Sequence, residues 1–116
     1  MTPEEFIDQV LAPLAGGRCF PDVAPQDTPT PFLTYQAVGG EPINFLSGEA
    51  PAKSNTRMQV NVWAATRLEA AQLGAQVEDA IRAAAHLQPE VLTGRAATYD
   101  ELTGYRGTMQ DFNLFC

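Results

Sequence analysis

The chain has 116 residues, which suits a single domain covering residues 1–116. Fourteen Asp and Glu residues against seven Lys and Arg give a net charge of −7, which argues against a protein that grips nucleic-acid phosphates. The sequence shows no secretion signal and no apolar run near the ~20 residues that span a bilayer, so we expect a soluble cytoplasmic product without a membrane partner.

The N-terminal segment is predicted to be a short helix over about residues 3–15. Thr2 is a suitable N-cap, Pro3 occupies the first helical position, and Glu5 completes a capping box. The apolar stripe of this helix consists of Phe6, Ile7, Val10, Leu11 and Leu14. The pair Gly16-Gly17 is expected to end it.

A proline-rich connector and a strand come next. Residues 18–31 contain four prolines, which exclude a helix interior and a central strand. We therefore expect an extended surface connector, with Phe20 and Val23 as possible anchors in the core. Residues 32–38 are predicted to be a strand, which Gly39-Gly40 stops.

Residues 39–55 form an unusually long connection for a small domain. Such a segment is functional, mobile or partly strand. Three apolar side chains, Ile43, Phe45 and Leu46, lie among otherwise polar neighbours in it.

The hydrophobic period changes from two to about 3.6 within residues 56–86. Met58, Val60 and Val62 alternate with polar residues and predict a strand over 56–64. Thr66 and Glu69 then form a capping box that starts a helix over 66–86. The predicted apolar side of this helix consists of Leu68, Ala71, Leu73, Val77, Ile81 and Ala84.

The C-terminal part is predicted to be a hairpin with strands over about 94–102 and 105–115, joined at Gly104. In its last strand one face carries Gln110, Phe112, Leu114 and Cys116. The element order is then α-β-β-α-β-β. This order predicts an α+β fold with a mixed, mainly antiparallel sheet of about four strands and two helices packed on one face.

The search for reactive groups finds no catalytic, cofactor or metal site. His86, the only histidine, lies near a helix end, and Cys19 follows an arginine without a base in view. Two cysteines do not make the usual four-ligand metal site. Cys19 and Cys116 are expected to be reduced thiols, unless the fold brings the C-terminus beside residue 19.

Other candidate groups have equally plain interpretations. The neighbouring carboxylates Glu78-Asp79 and Asp100-Glu101 point in different directions, so neither pair suits hydrolytic chemistry. We interpret both as surface charge. Trp63 is either a core or sheet-edge residue or an interface anchor, a role in which tryptophan is enriched.

Three segments carry a resemblance to a known family. They are the proline-rich lead into a strand at 29–35, the strand core at 57–64 with its short passage into the alanine-rich helix, and the C-terminal hairpin with Tyr105-Arg106-Gly107 and Asp111-Phe112-Asn113. In these segments, which cover most of the chain, the sequence resembles the tail completion, or tail terminator, proteins of long-tailed bacteriophages and prophages.

The resemblance implies a small α+β subunit that forms a ring, typically of six copies, at the head-proximal end of the tail. Such a ring ends growth of the tail tube and joins tail to head. The implied partners are further copies of the chain, the tail tube protein and the head–tail connector, in a virion assembled in the host cytoplasm. No enzymatic activity, cofactor or sequence-specific nucleic-acid binding is implied.

In this reading the 39–55 segment is a contact arm that becomes ordered on assembly, and Ile43, Phe45 and Leu46 are predicted oligomer-interface residues. The alternative is a hairpin whose apolar residues fold back onto the sheet. Two other functions stay open: a general interaction module without a phage role, and a small enzyme that uses His86 or Cys19.

Overall fold

The computed structural model describes residues 1–116 and contains two α-helices and six strands. The helices are α1 (Pro3–Leu11) and α2 (Arg67–Ala83). The strands are β1 (Cys19–Pro21), β2 (Phe32–Ala37), β3 (Asn55–Ala64), β4 (Glu90–Val91), β5 (Ala96–Tyr99) and β6 (Arg106–Phe115). Single 3₁₀ turns follow each helix, at Ala15–Gly17 and Ala85–Leu87.

All six strands belong to one sheet in the order β1-β2-β3-β6, with β4 and β5 both paired to the outer side of β6. β1 runs parallel to β2, and every other pair is antiparallel. The predicted α+β class and mixed, mainly antiparallel sheet are therefore confirmed. The predicted number of about four strands is wrong, because β1 and β4 were not foreseen.

The strands that were missed are very short and lie at the edges of the sheet. β1 falls inside the connector 18–31 and has three residues, the last of them Pro21. A proline is tolerated there because an edge strand leaves one row of amides unpaired. β4 has only two residues, Glu90 and Val91, which pair with β6. Neither strand has enough residues to show a hydrophobic period.

Several predicted boundaries move inward for local reasons. α1 ends at Leu11 rather than at residue 15, since Pro13 cannot continue the helical hydrogen bonding. The predicted strand 94–102 shortens to β5 because Asp100 begins a turn. Its carboxylate accepts hydrogen bonds from the Leu102 amide at 3.1 Å and the Thr103 hydroxyl at 2.9 Å.

Both helices pack on the same face of the sheet, as predicted. Tyr35 on β2 donates a hydrogen bond from its hydroxyl to Asp8 on α1, and Gln110 on β6 donates one to Glu78 on α2. The inward side chains of β3 are packed with those of α2 in a single core. Its buried members include Ile7, Leu11, Leu33, Met58, Val60, Val62, Leu73, Val77, Ile81, Leu87, Phe112 and Leu114.

The prediction of which side of α2 faces the sheet is wrong for the first turn of the helix. Leu68 is 75% exposed, and Ala71 is exposed as well. The buried positions are instead Ala70, Leu73, Gly74, Val77 and Ile81. They follow the spacing of three and four residues that places side chains on one side of a helix. Val23, a proposed core anchor, is also exposed.

Gly74 allows α2 to lie close to β6. A Cβ atom at this position would lie 2.8 Å from the Thr108 hydroxyl oxygen and 3.0 Å from the Arg95 Cδ atom. Glycine lowers helix propensity by about 1 kcal/mol relative to alanine. The close helix–sheet contact explains why a glycine is accommodated in the middle of α2.

A polar cluster joins α2 to the rest of the sheet at Glu78. Its carboxylate accepts from Arg82 Nε at 3.0 Å, from an Arg95 guanidinium nitrogen at 2.8 Å and from Gln110 Nε2 at 2.9 Å. The hydrogen bond from Gln110, followed by the interactions with Arg82 and Arg95, lowers the pKa of Glu78.

This cluster predicts a defined pH dependence. Because the folded pKa of Glu78 lies below its ordinary value of 4.5, the stabilisation is present above that value and is lost as the pH falls through the folded pKa. We expect Glu78→Gln to lower the unfolding free energy by about 1 kcal/mol at pH 7 and by less at pH 3. Urea unfolding at several pH values measures the difference.

The exposed neighbour Asp79 provides the control. Asp79→Asn should change stability by less than about 0.5 kcal/mol at any of these pH values, since this side chain is exposed and forms no ion pair. Equal effects of the two substitutions at pH 7 would contradict the assignment.

Candidate interaction surfaces

The long connection between β2 and β3 is hydrogen-bonded to the sheet at its two ends only. The Val38 amide donates to the Arg57 carbonyl at 2.8 Å, and the Arg57 amide donates to the Gly39 carbonyl at 2.8 Å. On the other side Ser54 and Cys116 exchange two backbone hydrogen bonds of 3.0 and 3.1 Å. We call residues 41–53, which lie between these two sets of hydrogen bonds, the arm.

The arm has almost no hydrogen bonds. Its one backbone hydrogen bond closes a turn, from the Gly48 amide to the Phe45 carbonyl at 3.0 Å. The Glu49 amide also donates to the Ser47 hydroxyl oxygen at 3.3 Å. Both contacts are internal, so no hydrogen bond ties the arm to the body of the domain.

The predicted interface residues differ in exposure. Ile43 is half-buried, Phe45 is 49% exposed and Leu46 is fully exposed. None of the three belongs to the core. At the C-terminal end of the arm the Lys53 Nζ atom lies 5.6 Å from the centre of the Phe115 ring.

The shape of the molecule agrees with an arm that extends from the body. The radius of gyration is 14.9 Å, and the molecule measures 52 × 25 × 23 Å. A compact domain of this length has a radius of gyration of about 13 Å. Gly40 sets the direction of the arm: its φ is +136°, and a Cβ atom there would collide with the Asn55 carbonyl oxygen.

A groove lies near the other end of β3, on the sheet face opposite the helices. Its volume is about 570 Å³, and its walls are the connector 22–28 and the turn 100–105. Phe32, Trp63 and Tyr105 supply its aromatic surface, with Phe32 and Tyr105 edge to face at 6.0 Å between ring centres. We call it the aromatic groove.

Trp63 is a principal residue of this groove. It is half-buried on a central strand, beside Phe32 on β2 and Gly107 on β6. The expectation that Trp63 belongs to the core or to a sheet edge is wrong, because odd-numbered positions of β3 point away from the helices. Its position fits the other interpretation, an anchor for an interface.

The polar lining of the aromatic groove is acidic. Asp22, Asp27 and Asp100 line it, and no Lys, Arg or His does. None of these three carboxylates forms an ion pair within the chain. Thr34 also lines the groove: it is only 5% exposed, and its hydroxyl makes no hydrogen bond to the rest of the chain.

The candidate catalytic residues are not brought together. His86 lies exposed in the 3₁₀ turn after α2, with its ring edge to face against Phe6 at 5.7 Å. Cys19 is half-buried on the edge strand β1. Burial, and then the charge of Asp8, raises the pKa of the Cys19 thiol to about 12. An activated cysteine has a lowered pKa, so this environment favours the unreactive thiol.

The two cysteines are free thiols in separate parts of the sheet. The register places Cys19 in the same row as Leu33, Val62 and Thr108. Cys116 lies three strands away and eight residues beyond that row along β6. This separation far exceeds the ~7 Å limit between Cα atoms of a disulfide.

The carboxylate pairs keep structural or surface roles, since Glu78 is held by two arginines and Asp100 closes a turn. No group of three or more His, Cys, Asp or Glu side chains converges as metal ligands would. Neither helix combines the length and apolar character needed to cross a membrane.

The structure thus describes a small α+β protein whose distinctive features are an arm and a groove rather than a cluster of reactive groups. Comparison with protein families adds the identity of its family. The family model described as tail completion protein gp17 matches residues 7–115. The chain belongs to this family, which confirms the resemblance seen in the sequence and indicates a structural role in a phage tail. No curated protein matches the chain.

Proposed function

We propose that this protein is the subunit of a tail completion ring of six copies that ends the tail tube and joins the tail to the head. Family membership over residues 7–115 supports the tail role. The observation that carries the ring assignment is the arm, which exposes Phe45 and Leu46 and has no hydrogen bond to its own body.

An arm at one end of a subunit favours closed, head-to-tail assembly. The arm leads into β3 at Asn55. In the proposed ring its apolar residues meet a surface of the next copy that is different from the arm itself. Contacts between two different surfaces are heterologous, and they generate rings when the rotation closes. The proposed contact orders the arm, because its only internal restraint is one short turn.

The charge of the chain suits this position in the virion. DNA passes through a ring between head and tail, and a net charge of −7 does not favour strong binding of its phosphates. The proposed partners are the tail tube protein and the head–tail connector, met in the host cytoplasm during assembly. Surface contacts are sufficient for this function, so the proposal includes no cofactor and no reaction.

Capping of tail tubes tests the proposal directly. Tubes grown from the tail tube protein of the same phage are mixed with the purified protein, and their ends are inspected by electron microscopy. We expect a ring-shaped cap at one end and arrested growth at that end. Tubes that keep growing without bound protein would show a general interaction module instead.

The arm itself predicts a separation between assembly and stability. Phe45→Ala should weaken oligomers or tube capping by about tenfold or more, because an exposed aromatic side chain is a typical interface anchor. The melting temperature of the monomer should hardly change, since surface substitutions usually alter stability by less than about 0.5 kcal/mol. Sedimentation velocity and calorimetry measure the two effects.

Leu68→Ala is the matched control. Leu68 is 75% exposed, but it lies in the first turn of α2, away from both the arm and the aromatic groove. We expect normal assembly in this variant. A large loss of monomer stability in Phe45→Ala would instead show that the ring of Phe45 packs against the domain.

A further inference from the structure

We propose that the aromatic groove binds an extended basic segment of a partner protein, one with Lys or Arg next to an aliphatic or aromatic residue. This inference rests on the proposed function in that the partner is taken to be another component of the tail or the neck. Two observations carry it, the charge of the groove and its aromatic surface, and a threonine hydroxyl without an intramolecular partner adds to them.

The charge of the groove selects a cationic partner. Asp22 and Asp27 are exposed on the connector wall, and Asp100 faces them from the opposite turn. The Asp100 carboxylate is held by the turn, whereas Asp22 and Asp27 have no side-chain hydrogen bond and no ion pair within the chain. Carboxylates that line one cleft add their fields and attract a group of opposite charge.

The aromatic surface supplies the contact area. Trp63 and Tyr105 present their rings in the groove, and tryptophan is the best aromatic partner for a cation. An arginine or lysine stem can lie on such rings while its charged end meets the carboxylates. Tryptophan and tyrosine in a partly enclosed site are also typical binding hot spots.

Thr34 adds a polar group that lacks a partner within the chain. Thr34 on β2 is 5% exposed and lines the groove, and its hydroxyl makes no hydrogen bond within the chain. This hydroxyl is not one of the fully buried side-chain atoms that lack a partner, so it is accessible to a ligand in the groove. The backbone of a bound extended segment can supply both donors and acceptors, so it would satisfy this group.

The arm of a second copy is a poorer occupant of the groove. The arm carries Glu41 and Glu49 against the single cation Lys53, so its net charge has the same sign as that of the groove. The arm also lies far from the groove of the same molecule, since Trp63 lies eight residues along β3 from Asn55, roughly 26 Å away. The charge therefore points to a different protein.

Trp63 allows a direct test, because it is the only tryptophan in the chain. The whole protein is titrated with a capped peptide Gly-Lys-Leu-Arg-Leu-Lys-Gly while tryptophan emission is followed. The matched probe has Glu in place of each Lys and Arg. We expect a saturable change with the basic peptide and none with the acidic one. Binding should weaken by about tenfold between low and high salt.

Substitutions on the protein locate the site. The backbones of Asp22 and Asp27 have φ values of 62° and 65°, a conformation that asparagine tolerates well. The double variant Asp22→Asn with Asp27→Asn should therefore fold normally and bind the basic peptide about tenfold more weakly. Glu49→Gln with Asp79→Asn removes the same charge outside the groove and should change affinity by less than about twofold.

A second variant tests the unpaired hydroxyl. Thr34→Val keeps the shape of the side chain and should weaken peptide binding by about threefold to tenfold, without loss of thermal stability. An unchanged affinity in both Thr34→Val and the double asparagine variant would overturn the proposal. Equal binding of the acidic peptide would also overturn it, as would tighter binding of a peptide copy of residues 41–53, which would make a second copy the occupant.

The peptide-binding test of the groove and the tube-capping test of the ring can succeed or fail independently. Specific binding of the basic peptide supports the docking site even if tail tubes are not capped, in which case only the proposed function fails. Capped tubes together with no peptide-dependent change at Trp63 would overturn the docking site and leave the ring intact.

Discussion

Phe112→Ala is expected to lower the free energy of unfolding by about 3–5 kcal/mol. Phe112 is 0% exposed and is the largest of the fully buried side chains. It lies on β6 between Met58 of β3 and Val91 of β4, with α2 above the same face of the sheet. Truncation removes apolar contacts from three elements and leaves a cavity that paired strands cannot close.

A loss of this size is a large part of the 5–15 kcal/mol that stabilises a typical domain. Urea unfolding followed by circular dichroism measures it, and some of the variant should be unfolded at 37 °C. Phe45→Ala makes the same chemical change on the arm and should cost less than about 0.5 kcal/mol. Similar losses of stability in the two variants would mean that the side chain of Phe112 does not fill the core.

The elements with a clear hydrophobic period were predictable from sequence. Met58, Val60 and Val62 alternate along β3, and their burial is confirmed. The N-cap at Thr66 also forms, with the Glu69 amide donating to the Thr66 hydroxyl oxygen at 3.2 Å, while the Glu69 carboxylate accepts from the Ala65 amide at 3.4 Å rather than from that of Thr66. Long elements carry enough repeats, and their ends carry enough capping chemistry, for local rules to identify them.

The short strands could not be predicted, because neighbouring strands rather than local sequence hold them. β1 pairs with β2 through only three residues, and β4 pairs with β6 through two. The prediction of the buried residues in the first turn of α2 was wrong for a related reason. Leu68 has an apolar side chain at a helical position, but the cap fixes the helix so that Ala70 and Leu73 face the sheet instead.

The two candidate surfaces differ in how far sequence could reveal them. The arm lies in one continuous segment, so its length and its three apolar residues gave a local signal. The aromatic groove combines the connector, β2, β3 and the turn before β6. The only sequence signal for it was Trp63, a large aromatic residue at the end of a predicted strand. Its acidic lining comes from Asp22 and Asp100, which are far apart in the chain.

Gly107→Ala is expected to damage both the sheet and the aromatic groove. A Cβ atom at this position would lie 2.5 Å from the Val62 carbonyl oxygen, 2.6 Å from the Thr98 hydroxyl oxygen and 2.8 Å from Trp63 Cε3. The Val62 carbonyl is part of a strand paired on both sides, so it cannot move without disturbing its hydrogen bonds. The indole must move as well.

We expect this variant to lose about 3 kcal/mol of stability, at the upper end of the usual cost of overpacking. Trp63 emission should shift to longer wavelength as the indole moves toward water, and the basic peptide should bind more weakly. Gly94→Ala is the control: its added Cβ has no atom within 4 Å and its φ is ordinary. That change should be neutral or stabilise by up to about 1 kcal/mol, because it restricts the unfolded chain.

The combination of results decides what Gly107 does. A destabilised variant with unchanged Trp63 emission would mean that the backbone of β3 shifts while the indole keeps its position in the groove. A stable variant with shifted emission would mean that the indole alone moves. Since the added atom would touch the backbone of β3 as closely as the ring, we expect both changes together. A variant with the stability and emission of the original protein would show that Trp63 does not lie against β6.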